Sequence, residues 1–418
     1  MYQAARGTTD ILPAEQPYWR YVEKAIAEIT RLYGYQRIDT PMFEDTGLFR
    51  RSAGEYTDIV QKEMYTFDDR GGNSLTLKPE GTPPVCRAYV QHGFNNLPQP
   101  VKLYYISPIF RYDRPQAGRY RQHYQFGFEA IGEDDPAIDA EVIDMAWRFY
   151  KSLGLVKISL QLNSIGCKVC RPPYLDALKD YYKQHDVKLC ADCKTRLDKN
   201  PLRLLDCKQA SCQGVAQNAP RSIDELCPEC AAHFTQLQKY LGRLGIPFLI
   251  NHRLVRGLDY YTRTVFEIQP EDEGSQSAIG GGGRYDGLIE ELGGKPTPAL
   301  GFATGIERII LNLKKQGIGV TTPPPLQVFI AYLGDPARDE AIKLTAGLRK
   351  KGISAVTATG GKSLKAQLRQ ANSLGARHVV IIGEDEVKAG TVTLRHMADA
   401  RQETIALDDL PGRLKATE

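Results

Sequence analysis

From Tyr120 to Ile131 the chain alternates with a period of two. Tyr120, Tyr124, Phe126 and Phe128 share one parity, while Arg121, Gln125 and Glu129 share the other. Successive side chains of a strand point to opposite faces. One face of this strand therefore packs, and the other presents a guanidinium, an amide and a carboxylate in a row. The segment Val101 to Arg111 is also strand-like, and a charged loop with Pro115 and Gly118 joins the two. That pattern predicts a long-looped antiparallel hairpin. The same habit recurs elsewhere. Read as a strand, Ser74 to Thr82 puts Lys78, Glu80 and Thr82 on one face, and Leu254 to Ile268 does so for Arg256, Leu258, Tyr260 and Thr262.

If these strands are neighbours, their polar faces form a floor carrying Glu80, Thr82, Arg111, Gln125, Glu129, Arg256 and Tyr260. Each polar group buried there without a partner forfeits roughly 1–3 kcal/mol. A water-filled cleft or a polar ligand removes that cost. Carboxylates suit an ammonium and N–H groups, and arginines hold carboxylates and phosphates bidentately. An amino acid together with a nucleotide meets both demands. The competing reading is an exposed sheet face laced with salt bridges.

Other segments organise the chain around this floor. Ala14 to Tyr33 reads as an amphipathic helix, with Trp19, Val22, Ile26, Ile29 and Tyr33 at spacings of three and four and Gly34 ending the pattern. A strand, YQRIDTPMFED, follows, and Glu141 to Leu153 is a helix. The run Gly280 to Gly283 reads as a bulge or turn, or a place where backbone approaches a ligand closely. PALGFATGIERIIL reads as a strand running into a helix that carries Arg308. The stiff segment Thr321 to Pro325 is the best boundary between domains. Beyond it, strands at QVFIAYL, ISAVTAT and RHVVIIG alternate with helices at Pro336 to Lys351 and Ser363 to Ser373, which implies a small α/β domain.

A chain of 418 residues is expected to hold two or three domains. No apolar run approaches the ~18 residues of a membrane span. The opening MYQAARGTTDILP has no apolar h-region, so no secretory signal is read and a cytoplasmic location is expected. The formal net charge is +4, and the last 93 residues account for +3 of it, which permits a nucleic-acid partner without demanding one.

Eight of the nine cysteines lie between Cys167 and Cys230, with Cys86 alone. They come as Cys167 and Cys170, Cys190 and Cys193, Cys207 and Cys212, and Cys227 and Cys230. Pairs separated by two residues are zinc-knuckle spacings, and four thiolates complete one tetrahedral site with no open position for catalysis. Eight could hold two structural zinc ions. Which pairs combine stays open, as does a set of reduced, metal-free thiols.

The motifs together resemble the class II aminoacyl-tRNA synthetases, and within them the histidyl-tRNA synthetases. The resemblance rests on RGTTDILP, TLKPEGT, FRYDRPQAGRYRQHYQFGFE, LVRGLDYY, AIGGGGRYDGL and GFATGIERI, spread in this order along the chain. It implies an α+β fold: an antiparallel class II sheet flanked by helices, with a Cys-rich insertion and a C-terminal α/β anticodon-binding domain. The implied limits are 1–325 for the catalytic domain, 166–241 for the insertion and 326–418 for the anticodon-binding domain. The implied activity is ATP-dependent activation of L-histidine and its transfer to tRNA(His), with Mg²⁺ accompanying ATP and a homodimer as the assembly. Glu80, Gly81, Thr82 and Gln125 would surround the α-amino group, and Glu129 with Tyr260 or Tyr261 would read the imidazole. Arg111 would grip the α-phosphate and Arg256 would bridge it to the substrate carboxylate. Arg119 and Arg308 would serve ATP. A non-charging regulatory paralogue, the partner of ATP phosphoribosyltransferase, is the alternative.

Overall fold

The computed structural model describes residues 2–54, 57–114, 118–271, 278–322 and 324–416. Pro115 and Pro323 lie outside the described residues. The chain divides into two compact units, Met1–Val320 and Thr321–Glu418.

The strands of the first unit, among the described residues, are β1 (Gln36–Arg37), β2 (Phe43–Asp45), β3 (Thr66–Asp68), β4 (Ser74–Leu77), β5 (Val101–Phe110), β6 (Gln122–Ile131), β7 (Ile158–Ser164), β8 (Phe248–Ile250), β9 (Thr262–Pro270), β10 (Gly280–Arg284) and β11 (Ala299–Gly305). Eight of them form one sheet in the order β1-β5-β6-β11-β10-β9-β7-β8. Its pairings are antiparallel except at the edges, where β1 runs parallel to β5 and β8 parallel to β7. Alternation dictates the two faces. Phe126 and Phe128 of β6, Phe266 and Ile268 of β9 and Leu300 and Phe302 of β11 enter one core cluster. The helices Gln16–Leu32, Pro136–Ser152 and Ile306–Lys315 cover that face through Trp19, Val22, Ile26, Ile143, Phe149 and Ile309. The first helix places its apolar stripe as its periodicity predicts.

Three expected strands differ. YQRIDTPMFED is broken: β1 joins the large sheet, and β2 joins a small sheet of order β2-β4-β3. Pro41, which has no backbone N–H, stands at the break. There the Lys78 ammonium turns back to the carbonyl and hydroxyl of Thr40, at 3.3 and 3.1 Å. The strand expected over Ser74 to Thr82 ends at Leu77, and Thr82 instead opens the helix Thr82–Gln91, with Pro83 and Pro84 suited to a first turn. Arg256, Leu258 and Tyr260 lie in a loop, and β9 begins only at Thr262.

The glycine run is neither a bulge-only feature nor a turn. Gly280 to Gly283 form the central strand β10, with a register irregularity between Gly283 and Arg284. Arg284 is fully buried. It bonds to Asp139 at 2.7 Å, and His233 bonds to the other oxygen of Asp139 at 2.9 Å. That network ties β10 to the helices Pro136–Ser152 and Pro228–Arg243. The cysteine-rich region is helical, with Arg171–Lys183, Ala191–Lys199, Ala210–Ala216 and Pro228–Arg243. The last of these sends Phe234, Leu237 and Leu241 into the core of the large sheet.

The second unit holds β12 (Val328–Tyr332), β13 (Ala355–Thr357), β14 (His378–Ile382), β15 (Thr391–His396) and β16 (Gln402–Ala406), in the order β13-β12-β14-β15-β16. The first three run parallel and the last two antiparallel. Helices Asp335–Lys350 and Leu364–Ser373 connect the parallel strands as predicted. Buried Gln367 holds the Tyr332 backbone at both N–H and C=O, at 3.0 and 2.8 Å.

Candidate active site

The polar face of the large sheet carries a cavity of about 680 Å³. Glu80, Gly81, Thr82, Arg111, Arg119, Gln125, Arg256, Tyr260, Tyr261 and Arg308 all line it. They arrive from different elements. Gln125 stands on β6. Glu80 and Gly81 fill the turn after β4, and Thr82 opens the helix that follows. Arg111 lies just past β5, Arg119 in the loop before β6, and Arg308 on the first turn of Ile306–Lys315. Arg256, Tyr260 and Tyr261 come from the loop before β9.

Glu129 lies one layer deeper. It is fully buried, accepts the Thr82 hydroxyl at 2.8 Å and the Tyr285 hydroxyl at 2.6 Å, and does not itself line the cavity. Glu80 accepts the Tyr260 hydroxyl at 2.8 Å through Oε2, while its buried Oε1 has no hydrogen-bond partner among the described residues. Burial pushes Glu80 up to about 7, against the pull of Tyr260 and Arg111. Burial likewise pushes Glu129 up to about 8, against its two hydroxyl donors. Burial is thus the dominant influence on both carboxyls.

The arginines are fixed by the protein. Arg111 donates to the Pro79 carbonyl at 2.7 Å. Arg308 donates to the carbonyls of Gly118 and Ala278 at 3.1 and 2.8 Å. Arg256 pairs with Glu267, and its guanidinium carbon stands 5.8 Å from the centre of the Tyr261 ring. Its buried Nε has no partner among the described residues. Arg119 lies 3.5 Å from Asp113.

Two glycines make this arrangement possible. A Cβ on Gly301 of β11 would stand 1.7 Å from Glu129 Oε2, and one on Gly281 of β10 would stand 2.6 Å from Arg256 Nη1. Their role is close approach.

Three residues grouped with the floor by parity fall elsewhere, among them Thr262, whose hydroxyl donates to Asp286 at 3.3 Å. Lys78 turns to Thr40, as above. Arg121 stacks over Tyr112 at 3.8 Å and does not line the cavity. Other residues reach the cavity unanticipated. His123 shares the parity of Gln125, so the same alternation could have found it. Burial, with Arg111 and Arg308 nearby, pushes its imidazole down to about 3 and keeps it neutral. Glu267 and Gln269 alternate with Phe266 and Ile268 on β9 and were findable in the same way.

The eight cysteines gather into two groups, Cys167, Cys170, Cys227 and Cys230, and Cys190, Cys193, Cys207 and Cys212, the sulfurs of each lying within 4.8 Å of one another. Cys167 stands 3.8 Å from both Cys170 and Cys227, and Cys190 stands 3.9 Å from Cys207. A tetrahedron with zinc–sulfur bonds of about 2.3 Å has edges of about 3.8 Å. A disulfide needs about 2.05 Å, and all eight are free. Cys207 also lines the cavity.

Comparison with known proteins points the same way. The family model for histidyl-tRNA synthetase matches residues 7–309, and that for an anticodon-binding domain matches residues 327–417. The chain is 66% identical over 418 residues to the histidine–tRNA ligase of Dehalococcoides mccartyi, with 99% of each chain covered. It is 52% identical over 411 residues to that of Desulforamulus reducens, with 98% of each covered. The crystal structure of apo S. aureus histidyl-tRNA synthetase is similar with a TM-score of 0.83 at 40% identity, covering 99% of this chain and 100% of that one.

Proposed function

The chain belongs to the histidyl-tRNA synthetase family, and on that premise we propose how its cavity joins histidine to tRNA. Its activity is that of a histidine–tRNA ligase, with L-histidine, ATP and tRNA(His) as partners. The regulatory paralogue is not favoured, because the full-length relatives are ligases and an anticodon-binding domain matches the C-terminal unit.

One observation carries the chemistry: the buried, unpartnered Oε1 of Glu80 opens on a cavity ringed by Arg111, Arg256 and Arg308. The carboxylate calls for an ammonium, and the guanidinium groups call for phosphate and carboxylate. Glu80 and Gln125 hold the α-amino group of histidine beside Gly81 and Thr82. Thr82 donates to Glu129, so its remaining lone pairs face the ammonium as acceptors. An imidazole N–H is taken by Glu129, whose two hydroxyl donors leave a lone pair on each oxygen, and Tyr260 or Tyr261 flanks the ring.

In the first step the histidine carboxylate attacks the α-phosphorus of ATP. This nucleophile is already an anion near neutral pH, so no general base is required. Rate comes from alignment and from charge stabilisation on the α-phosphate. Arg111 grips that phosphate, Arg256 spans it and the substrate carboxylate, and Arg119 and Arg308 hold the rest of ATP. Mg²⁺ accompanying ATP would supply charge neutralisation on the phosphates, beside Arg111, Arg119 and Arg308. Pyrophosphate leaves. The terminal ribose hydroxyl of tRNA then attacks the carbonyl carbon of the adenylate, the carbonyl–phosphate oxygen bond breaks, and AMP and a proton are released. Pyrophosphate exchange into ATP that depends on histidine, followed by charging of purified tRNA, tests this sequence. Exchange driven equally by other amino acids would sink it.

The division of labour follows. Residues 1–325 act as catalytic domain, interrupted by 166–241, and 326–418 bind the anticodon. The division at Val320/Thr321 and the match at 327–417 support that assignment. Each thiol group holds one structural zinc ion, which the near-tetrahedral sulfur spacing supports. The assembly is a homodimer. The resemblance implies a dimer built around the first helix and the strand ending at Pro41. The apolar stripe of that helix is spent in its own core, and the partner's face is sought on the small sheet, where Phe43, with Met42 just before it, and Phe67 are exposed. Light scattering should return twice the mass of one chain, and a monomer would refute the assembly. No helix among the described residues is long and apolar enough to cross a membrane. We place the chain in the cytoplasm, where reducing conditions keep cysteine thiols out of disulfides.

A further inference from the structure

The loop that supplies Arg256, Tyr260 and Tyr261 has no strand of its own, yet it must hold three side chains in register with Glu80 and Gln125. Its attachments explain how. On one side, Asn200 Nδ2 donates to Asp259 Oδ1 at 2.7 Å. Asn200 belongs to the segment running from Cys193 to Cys207, two members of one thiol group. On the other side, Arg171 follows Cys170 of the second thiol group, and its Nη2 donates to the Tyr261 carbonyl at 2.5 Å. Arg171 Nε is itself anchored on the Ile165 carbonyl at 3.2 Å. The loop has further ties: Asn163 to the Leu254 carbonyl at 3.0 Å, the Asp259 N–H to Ala53 at 3.3 Å and the Tyr260 hydroxyl to Glu80 at 2.8 Å, while Tyr260 and Tyr261 pack in a buried cluster.

We infer that the two thiol groups, with metal bound, position this loop, and that Asn200 and Arg171 are the positioning residues through which they act on the histidine end of the cavity. The inference rests on the zinc reading above. Its physical basis is the weakness of the segments concerned. Ala191–Lys199 is a two-turn helix followed by the single turn Pro201–Leu204. Helices this short do not hold themselves in water. A four-thiolate site joining both ends of the segment supplies the missing restraint, because metal binding and local folding are one equilibrium. Cys207 and Lys208 line the cavity, so the restrained segment is also part of its wall.

The test uses the full-length, metal-replete chain. Elemental analysis should find two zinc ions per chain, and one after Cys207→Ser. Cys207→Ser should raise the histidine KM about tenfold, the size set by losing one charge-assisted hydrogen bond. The ATP KM should stay within about twofold. Asn200→Ala should give the same split between the two KM values while keeping both zinc ions, which separates positioning from gross folding and decides the matter even if Cys207→Ser fails to fold. A wild-type histidine KM in Asn200→Ala, with two zinc ions present, would overturn the inference and leave the zinc reading standing. No zinc in the wild-type chain would overturn the zinc reading itself.

Discussion

Histidine binding should release protons, and the release should shrink as the pH rises from 7 to 8. Glu80 is pushed up to about 7 and Glu129 up to about 8, chiefly by burial. A raised carboxyl is protonated below its pKa, whereas an ammonium or imidazole N–H is held best by the ionised form. Binding must therefore expel the protons that the empty site retains. Treated as independent groups, the two carboxyls retain about 1.4 protons at pH 7 and about 0.6 at pH 8. The fraction with both ionised rises from about 0.05 to about 0.5, so histidine affinity should strengthen about tenfold over that unit and level off above it. The two groups interact, so the experiment reads them as one coupled pair. Calorimetric titration with L-histidine in buffers of different ionisation enthalpy counts the protons directly. Glu80→Gln should lower the count at pH 7 to about 0.9. Saturable binding at pH 7 with a release below about 0.3 protons, and an affinity flat in pH, would show that the empty site does not hold these carboxyls protonated.

Three substitutions probe other parts of the account. Arg256→Ala should slow adenylate formation by about 10²- to 10³-fold in single-turnover experiments, the loss typical of a donor to transition-state charge; a rate within about threefold of the parent would remove its role. Gly301→Ala drives a Cβ to within 1.7 Å of Glu129 Oε2, so kcat/KM for histidine in pyrophosphate exchange should fall by about 100-fold or more, and an unchanged value would show that Glu129 tolerates displacement. Arg284→Ala leaves fully buried Asp139 with His233 alone, and should cost the first unit about 3–5 kcal/mol, read as a lowered unfolding midpoint; a midpoint unchanged in heat and denaturant would show that the network is dispensable.

Much of the site was legible because strand alternation is a strong signal. Phe126 and Phe128 pack while His123 and Gln125 face the cavity, as parity on β6 requires. Parity failed where no strand exists. Arg256 and Tyr260 converge on Glu80 from a loop, and Glu80 and Thr82 occupy a turn and a helix start, so their shared parity was coincidental to their shared cavity. Lys78 had the parity of Glu80 but belongs to a chain that has already left the strand, and the Thr40 acceptors capture it. The glycine run looked like a turn because glycine weakens strands. Its reason is tertiary: only bare backbone on β10 and β11 leaves room for Arg256 and Glu129. The pairing of cysteines was likewise hidden, because Cys167 and Cys227 meet only after the helices between them fold back.

The most direct test of the central claim is a crystal structure of the chain with L-histidine and a non-hydrolysable ATP analogue. The α-ammonium should lie within hydrogen-bond distance of Glu80 Oε1, with the α-phosphate between Arg111 and Arg256. An ammonium held away from Glu80, or a nucleotide seated outside this cavity, would contradict that claim.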